Sequence, residues 1–262
     1  MSPFDAAQYW ESRLASDYTL QGVGYSSLGR SYNSWMYRVR RHVFGRVITS
    51  LDLDFPNVSV LDVGSGTGFY VDLWKRMGVK SLTGVDITQT AVDRLSERFP
   101  DYKFCQADIG VGLPWVQTFD AITAFDVLFH IVSDDRFVAA IENCYQVLQA
   151  GGWFIFSDNF LHRQQVQLEH QVSRSLEDIE RAVLDAGFQI ERRLPMFSLM
   201  NSPVDSDNGY RRLFWKALNR AVSSSEAAGY AVGAALFPFE LALTRKGESA
   251  STEIMLCRKP RG

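Results

Sequence analysis

The chain has 262 residues, 46% of them hydrophobic, a formal net charge of −3 and a sequence pI of about 5.8. That length carries one large α/β domain, or one domain with an appendage. The slightly acidic balance argues against nucleic acid as the main partner, because holding a phosphate backbone calls for a basic excess. Cys105, Cys144 and Cys257 are dispersed without metal-binding spacing, which fits a reducing compartment. The N-terminal stretch shows no apolar leader, and the most apolar run, 231–243, is interrupted by Pro238 and Glu240 and is too short to span a bilayer. A soluble, cytoplasmic protein without a membrane partner is expected.

Taken in chain order, residues 1–54 hold an amphipathic, basic segment at 32–51 and are expected to form an N-terminal helical cap. Short apolar runs at 58–63, 81–85, 121–125 and 153–157, with a weaker one at 102–105, read as strands buried on both faces of a parallel sheet. Helical faces lie between them: Val71, Trp74 and Met77; Val92, Leu95 and Phe99; then Phe137, Ala140, Ile141, Cys144 and Leu148. A polar connection at 162–174 leads to Ser175-Leu176-Glu177-Asp178, a capped helix start, and that helix should stop at Gly187. Residues 188–192 alternate as a strand. The stretch 197–249, helical in pattern at 210–222, reads as an inserted lid or substrate-binding segment before a last strand at 253–258. The core is then 55–196 with 250–262. Alternating strands and helices predict an α/β, doubly wound, Rossmann-like sheet with helices on both faces and right-handed crossovers, plus a helical lid.

The sequence Asp62-Val63-Gly64-Ser65-Gly66-Thr67-Gly68 follows a strand and opens a helix. Its glycines permit a tight turn and close approach of a ligand, although a plain strand-to-helix turn would look the same. Asp62, Asp86, Asp108 and Asp126 end or follow successive strands and should meet at one carboxyl edge, where doubly wound folds bind ligands. A carboxylate at Asp86 suits a ribose diol. Asp62 beside the loop disfavours a pyrophosphate and favours a ligand with a sulfonium and an ammonium. The third glycine also arrives one residue early for a dinucleotide loop.

On these residues the chain resembles the class I S-adenosylmethionine-dependent methyltransferases, most strongly over 55–160. The glycine loop is similar to their first motif, and Val85-Asp86-Ile87 to the second, with Asp86 on the ribose. Gln106-Ala107-Asp108-Ile109 is similar to the third, with Asp108 and Ile109 near adenine, and 119–126 to the fourth. Gln149-Ala150-Gly151-Gly152-Trp153 is similar to the turn before their fifth strand. The resemblance implies S-adenosylmethionine as methyl donor, a mostly parallel sheet with an antiparallel C-terminal strand, and a cofactor site of Asp62, Gly64, Ser65, Gly66, Gly68, Asp86, Ile87, Asp108, Ile109 and Asp126. The Asn/Asp-Pro-Pro-Tyr signature of amino-methylating nucleic-acid enzymes is absent after the fourth strand, where Asp126-Val127-Leu128-Phe129-His130 stands. The expected acceptor is a small molecule or sugar, with oxygen the expected atom.

A sulfonium carries its own activation, so the protein has to align the acceptor and, for a hydroxyl, take its proton. His130 is the first candidate base and His170 the second, ahead of His162; for each, a packing or surface role is the alternative. Asp126 with Asp158-Asn159 could hold Mg²⁺, but the preferred reading puts Asp126 at the cofactor and Asp158 on a turn, so no metal is expected. Aromatic residues in 1–50 and 197–249 suggest a lid over the acceptor, or simply a subdomain core. The run Arg38, Arg40, Arg41, His42 and Arg46 is expected to face solvent, or else to hold a carboxylate. A nicotinamide-dependent oxidoreductase and a non-catalytic adenosyl-binding module are the alternative functions.

Overall fold

The structure, a computed structural model, describes residues 4–114, 117–168, 170–245 and 247–261. Two helices, α1 (Ala6–Ser16) and α2 (Gly29–Ile48), precede the sheet. Then strands and helices alternate: β1 (Ser59–Val63), α3 (Phe69–Arg76), β2 (Ser81–Asp86), α4 (Gln89–Arg98), β3 (Lys103–Gln106), β4 (Phe119–Ala124), α5 (Asp134–Val147) and β5 (Leu148–Asp158). A small hairpin, β6 (Val166–Gln167) and β7 (Val172–Ser173), leads to α6 (Leu176–Asp185) and β8 (Gln189–Pro195). The helices α7 (Gly209–Val222) and α8 (Glu226–Leu243) and the strand β9 (Glu253–Arg258) complete the chain.

The seven-stranded sheet runs β3-β2-β1-β4-β5-β9-β8. The first five strands in that order pair in parallel, and β9 inserts antiparallel between β5 and β8, as the resemblance implied. Successive residues of each strand enter opposite faces, as the pleat requires. Val60, Ala121, Ile155 and Leu256 join the core under α2, α3 and α4; Leu61, Ile122, Phe154 and Met255 join the core under α5 and α6. Ser175 caps α6, accepting from the Asp178 N–H at 3.1 Å. One residue departs from its expected element: Leu148 begins β5 rather than ending α5.

Two expectations change. Helix α2 is more than a cap. Its Val39, Val43, Phe44 and Val47 are fully or almost fully buried and form part of the main core with Val71 and Trp74 of α3. The run 231–243 is not broken but continues as α8, with Pro238 inside the helix. A proline there removes one backbone bond, and tertiary packing outweighs it. Gly233 lies so close to Trp35 of α2 that a Cβ would stand 2.4 Å from its ring. Buried Glu240 accepts from the Ser198 and Leu199 amides at 2.7 and 2.8 Å.

Candidate active site

The carboxyl ends of the parallel strands open into one cavity of about 820 Å³. One end is bordered by Gly64, Ser65, Gly66 and Thr67 of the glycine loop and by Asp86, Ile87, Asp108 and Ile109; the other by Tyr9, Trp10, Tyr37, Arg40, His130 and His170. Gly68, expected at the cofactor, lies outside the border and faces α4, where a Cβ would stand 2.6 Å from Leu95. Asp126 borders it as well.

The loop turns between β1 and α3 with Gly64 at φ 67°, in the left-handed region where only glycine is at ease. A Cβ at Gly64 would stand 2.3 Å from Val127, so β1 and the turn after β4 can approach only because it is absent. Asp86 ties the end of β2 to this loop: its carboxylate accepts from the Gly66 N–H at 2.8 Å and from the Thr88 N–H and hydroxyl at 3.0 and 2.7 Å. Burial raises its pKa, and these bonds oppose the rise. Asp108 is paired with Arg136 and accepts from the Gly110 N–H at 2.9 Å. Ile87 and Ile109 supply apolar lining beside these acids.

Asp62 is placed differently from the other three acids. Its side chain is buried beneath the loop, accepts from the Thr123 hydroxyl at 2.7 Å, and does not border the cavity among the described residues. Burial pushes its pKa up to about 7. Asp62 therefore supports the loop from below.

Asp126 is held at φ 59°, a strained conformation for a residue with a side chain. Its N–H donates to the Ser157 hydroxyl at 2.8 Å, and its Oδ2 receives Nε and Nη2 of Arg40 at 3.0 and 2.8 Å. Arg40 thus leaves the predicted solvent-facing run: its side chain is 14% exposed and stacks over Phe197 at 4.7 Å. Helical geometry explains the departure, because Met36, Arg40 and Val43 follow the inward stripe of α2 whereas Arg38 and Arg41 do not. Burial weakens the guanidinium's hold on its proton, and the facing Asp126 carboxylate more than restores it, so its pKa is raised.

Both candidate bases border the acceptor end. His130 Nδ1 lies 2.9 Å from the His170 carbonyl oxygen, and Trp10 meets its ring edge-on at 4.8 Å. Burial lowers the His130 pKa to about 4. An Nδ1 facing a carbonyl must carry the proton, which leaves Nε2 with its lone pair. His170 stacks on Tyr9 at 5.5 Å. His162 lies elsewhere, exposed, with Nδ1 2.6 Å from Asp205. A polar floor completes this end: the Asn201 amide donates to the Thr252 hydroxyl at 3.1 Å, and that hydroxyl to Asn159 Oδ1 at 3.3 Å.

The roof comes from the N-terminal segment. Arg13 fastens it, donating to the Gly22 and Gly24 carbonyls at 2.5 and 3.2 Å and to the Tyr9 hydroxyl at 3.0 Å. Glu11 accepts from the Gln89 and Thr90 amides at the start of α4, at 2.7 and 3.2 Å. Tyr18 donates its hydroxyl to the Gly66 carbonyl at 2.9 Å, and burial pushes its pKa to about 12. The expected lid from the second aromatic segment is not at the cavity: 201, 202 and 204 border it, whereas the described residues of α7 and α8 do not. Arg13, Tyr18, Arg40 and Arg136 carried no motif that sequence reading could use.

The residues do not fit the Mg²⁺ arrangement. Arg40 already provides the counter-charge on Asp126, Asp158 lies outside the cavity border, and no group of three or more His, Cys, Asp or Glu side chains gathers among the described residues.

A family model described as a methyltransferase domain matches residues 60–152, the stretch from β1 to the turn inside β5. Over residues 60–152 the chain is a methyltransferase domain of the class I S-adenosylmethionine-dependent kind. Within it, a 108-residue stretch is 32% identical to ribosomal protein L11 methyltransferase of Staphylococcus aureus, covering 39% of this chain and 32% of that protein. The chain spans about a third or less of the length of the curated relatives it matches. The fold of the methyltransferase domain and its additions is shared with magnesium protoporphyrin IX methyltransferase from Synechocystis PCC 6803, at a TM-score of 0.58 and 15% identity over 99% of both chains. It is shared too with the [4+2]-cyclase SpnF, at a TM-score of 0.54 and 21% identity over 86% of this chain and 82% of that one.

Proposed function

We propose that the protein transfers a methyl group from S-adenosylmethionine to an oxygen atom of a small molecule. The observation that carries this reading is the single cavity that runs from the glycine loop to His130 and His170. Its first end fits an adenosyl ligand: a loop cleared of Cβ atoms, the Asp86 carboxylate placed for a ribose, Asp108 and the Ile87 and Ile109 walls for a ring. When bound there, S-adenosylmethionine supplies an electrophilic methyl group. Gly64, Ser65, Gly66, Asp86, Ile87, Asp108 and Ile109 would hold it, with Asp126 beside them and Asp62 and Gly68 acting through the loop.

At the second end the chain's own residues align the acceptor, exclude water and accept a proton. Tyr9, Trp10 and Tyr37 close the space with aromatic surface, and the Asn159–Thr252–Asn201 series offers polar anchoring. His130 Nε2 accepts the acceptor's proton. A base with a pKa of about 4 cannot draw a proton from an alkyl hydroxyl efficiently. This favours an acceptor oxygen that gives up its proton readily, as in a phenol or enol, or one that carries none at neutral pH, as in a carboxylate, over a sugar. No membrane or nucleic-acid substrate is needed to fill the cavity.

A second reading follows from the likeness to a cyclase: the fold could hold the adenosyl ligand without spending it. Incubation with methyl-labelled donor and a panel of phenols, carboxylic acids, sugars and amines decides. Label on a phenolic or carboxylic oxygen with S-adenosylhomocysteine released supports the proposal. Label on nitrogen, or cofactor binding with no release against any acceptor, overturns it.

A further inference from the structure

The helices α7 and α8 are joined by Ser223, Ser224 and Ser225 and pack against each other, and α8 lies on α2. Apart from Glu226 and Glu240, α8 has no charged residue, and it is apolar on every side. A helix that is apolar all round belongs in an interior, yet only Gly229, Gly233 and Glu240 of α8 are buried. Tyr230, Phe239 and Leu243 are exposed, Phe239 at 64%. Helix α7, packed on α8, also exposes apolar side chains. Tyr210 and Leu213 are 87% and 65% exposed, and Phe214 is exposed with them. At helical spacing, Tyr210, Leu213, Phe214, Ala217 and Ala221 form one outward stripe, with Arg212, Lys216 and Arg220 along its flank.

The charge of this surface selects what covers it. Helix α7 carries Arg211, Arg212, Lys216 and Arg220 and no acidic residue, in a chain whose net charge is −3. A second copy docked by the same face would set these cations against their counterparts. An apolar stripe flanked by cations matches a surface that is apolar inside and anionic at its boundary. Two acids lie near these helices: Asp207, 4.0 Å from Arg212, offsets one of the four cations, and the Glu226 carboxylate points to the start of α2, where it accepts from the Arg30 and Ser31 amides at 2.9 and 2.6 Å.

We propose that the α7–α8 hairpin docks on a bilayer surface bearing anionic headgroups, with Leu213, Phe214 and Phe239 among the acyl chains and Arg212, Lys216 and Arg220 on the phosphates. The helices lie on the surface and do not span it: no helix of the described residues is long and apolar enough to cross a membrane. The sequence-based expectation of no membrane partner considered only spanning segments. Both ends of α7 connect to the cavity border. The segment bordering it at 201, 202 and 204 runs into the Asn208 cap, and the Ser223 hydroxyl donates to the carbonyl of Ser27, another border residue, at 2.8 Å. Docking therefore holds the cavity close to the bilayer, whichever acceptor it takes.

Flotation of the full chain with phosphatidylcholine vesicles, with and without phosphatidylglycerol, tests this. The expected result is binding to the anionic vesicles that weakens with salt and is near zero on neutral ones. Neutralising Arg212→Gln, Lys216→Gln and Arg220→Gln together lowers partitioning about a hundredfold. Leu213→Ser with Phe214→Ser abolishes it, and both variants keep the parent's affinity for S-adenosylhomocysteine. The inference is overturned if the parent chain does not prefer anionic vesicles. It is equally overturned if light scattering shows a dimer that the Leu213→Ser, Phe214→Ser variant converts to monomer, because the face then covers a second copy.

Discussion

At the adenosyl end, most of the cavity border comes from three strand ends within one stretch of chain: residues 63–67, 85–87 and 107–109. At the acceptor end it comes from residues scattered between 4 and 40 and between 125 and 133, with Asn159, Leu168, His170, Gln171, Asn201 and Thr252, which meet only through the fold. The first end is made of backbone turns and short acids whose positions follow from strand order. The second is made of long side chains delivered by helices and loops. A site of the first kind leaves a compact motif, whereas one of the second kind leaves none. The same sheet edge can therefore keep its cofactor chemistry while its acceptor changes.

The two ends share one largely buried ion pair, and breaking it should have the largest effect. Arg40→Met leaves the Asp126 carboxylate, 29% exposed at the cavity, without its counter-charge, and urea unfolding should show a loss of about 3 kcal/mol. Adding Asp126→Leu should recover most of that loss; an additive double variant would mean that the pair is not coupled. Next, Gly64→Val places a branched side chain against Val127. It should weaken S-adenosylhomocysteine binding at least about a hundredfold by calorimetry, and unchanged affinity would show that the loop does not set the adenosyl end. His130→Gln should lower kcat about a hundredfold while leaving that affinity alone. Equal losses in both would erase the division between the ends. For the parent chain, a base with pKa about 4 is unprotonated from pH 5 to 8, so this group should give a flat kcat over that range.

A smaller effect concerns stability. Burial pushes Asp158 up to about 7 from an ordinary value of 3.8. The native state thus keeps a proton that the unfolded chain releases. Its contribution is complete below pH 3.8 and is lost as pH rises to about 7. Asp158→Asn should be more stable than the parent by about 2 kcal/mol at pH 5.5, with the difference vanishing towards pH 3; a pH-independent difference would refute the assignment. The smallest effect is expected from Tyr18→Phe, which removes one bond to the loop and should weaken S-adenosylhomocysteine binding about fivefold.

The parallel strands and the glycine loop were legible because strand burial on both faces writes continuous apolar runs, and because a turn cleared of side chains writes closely spaced glycines. Asp86 and Asp108 were legible from strand order alone. Asp62 was not, since order along the chain does not say whether a side chain points into the cavity or beneath the loop. Arg40 was hidden among surface-looking arginines, and only its phase on α2 separates it from Arg38 and Arg41. Helix α8 was obscured by Pro238, whose local cost is outweighed by packing on α2. The meeting of Trp10 with His130 and of His130 with His170 rests on contacts between distant parts of the chain, for which the sequence carries no local signal.

The bond from Tyr18 to the Gly66 carbonyl joins the first 25 residues to the turn that would cradle the adenosyl ligand. Such a join works in both directions. Whatever pulls the N-terminal segment off the cavity must loosen the ligand by some factor, and an occupied cavity must hold that segment down by the same factor. Cofactor exchange and exposure of the N-terminal segment to protease then become two readings of one equilibrium, and either can be used to measure the other.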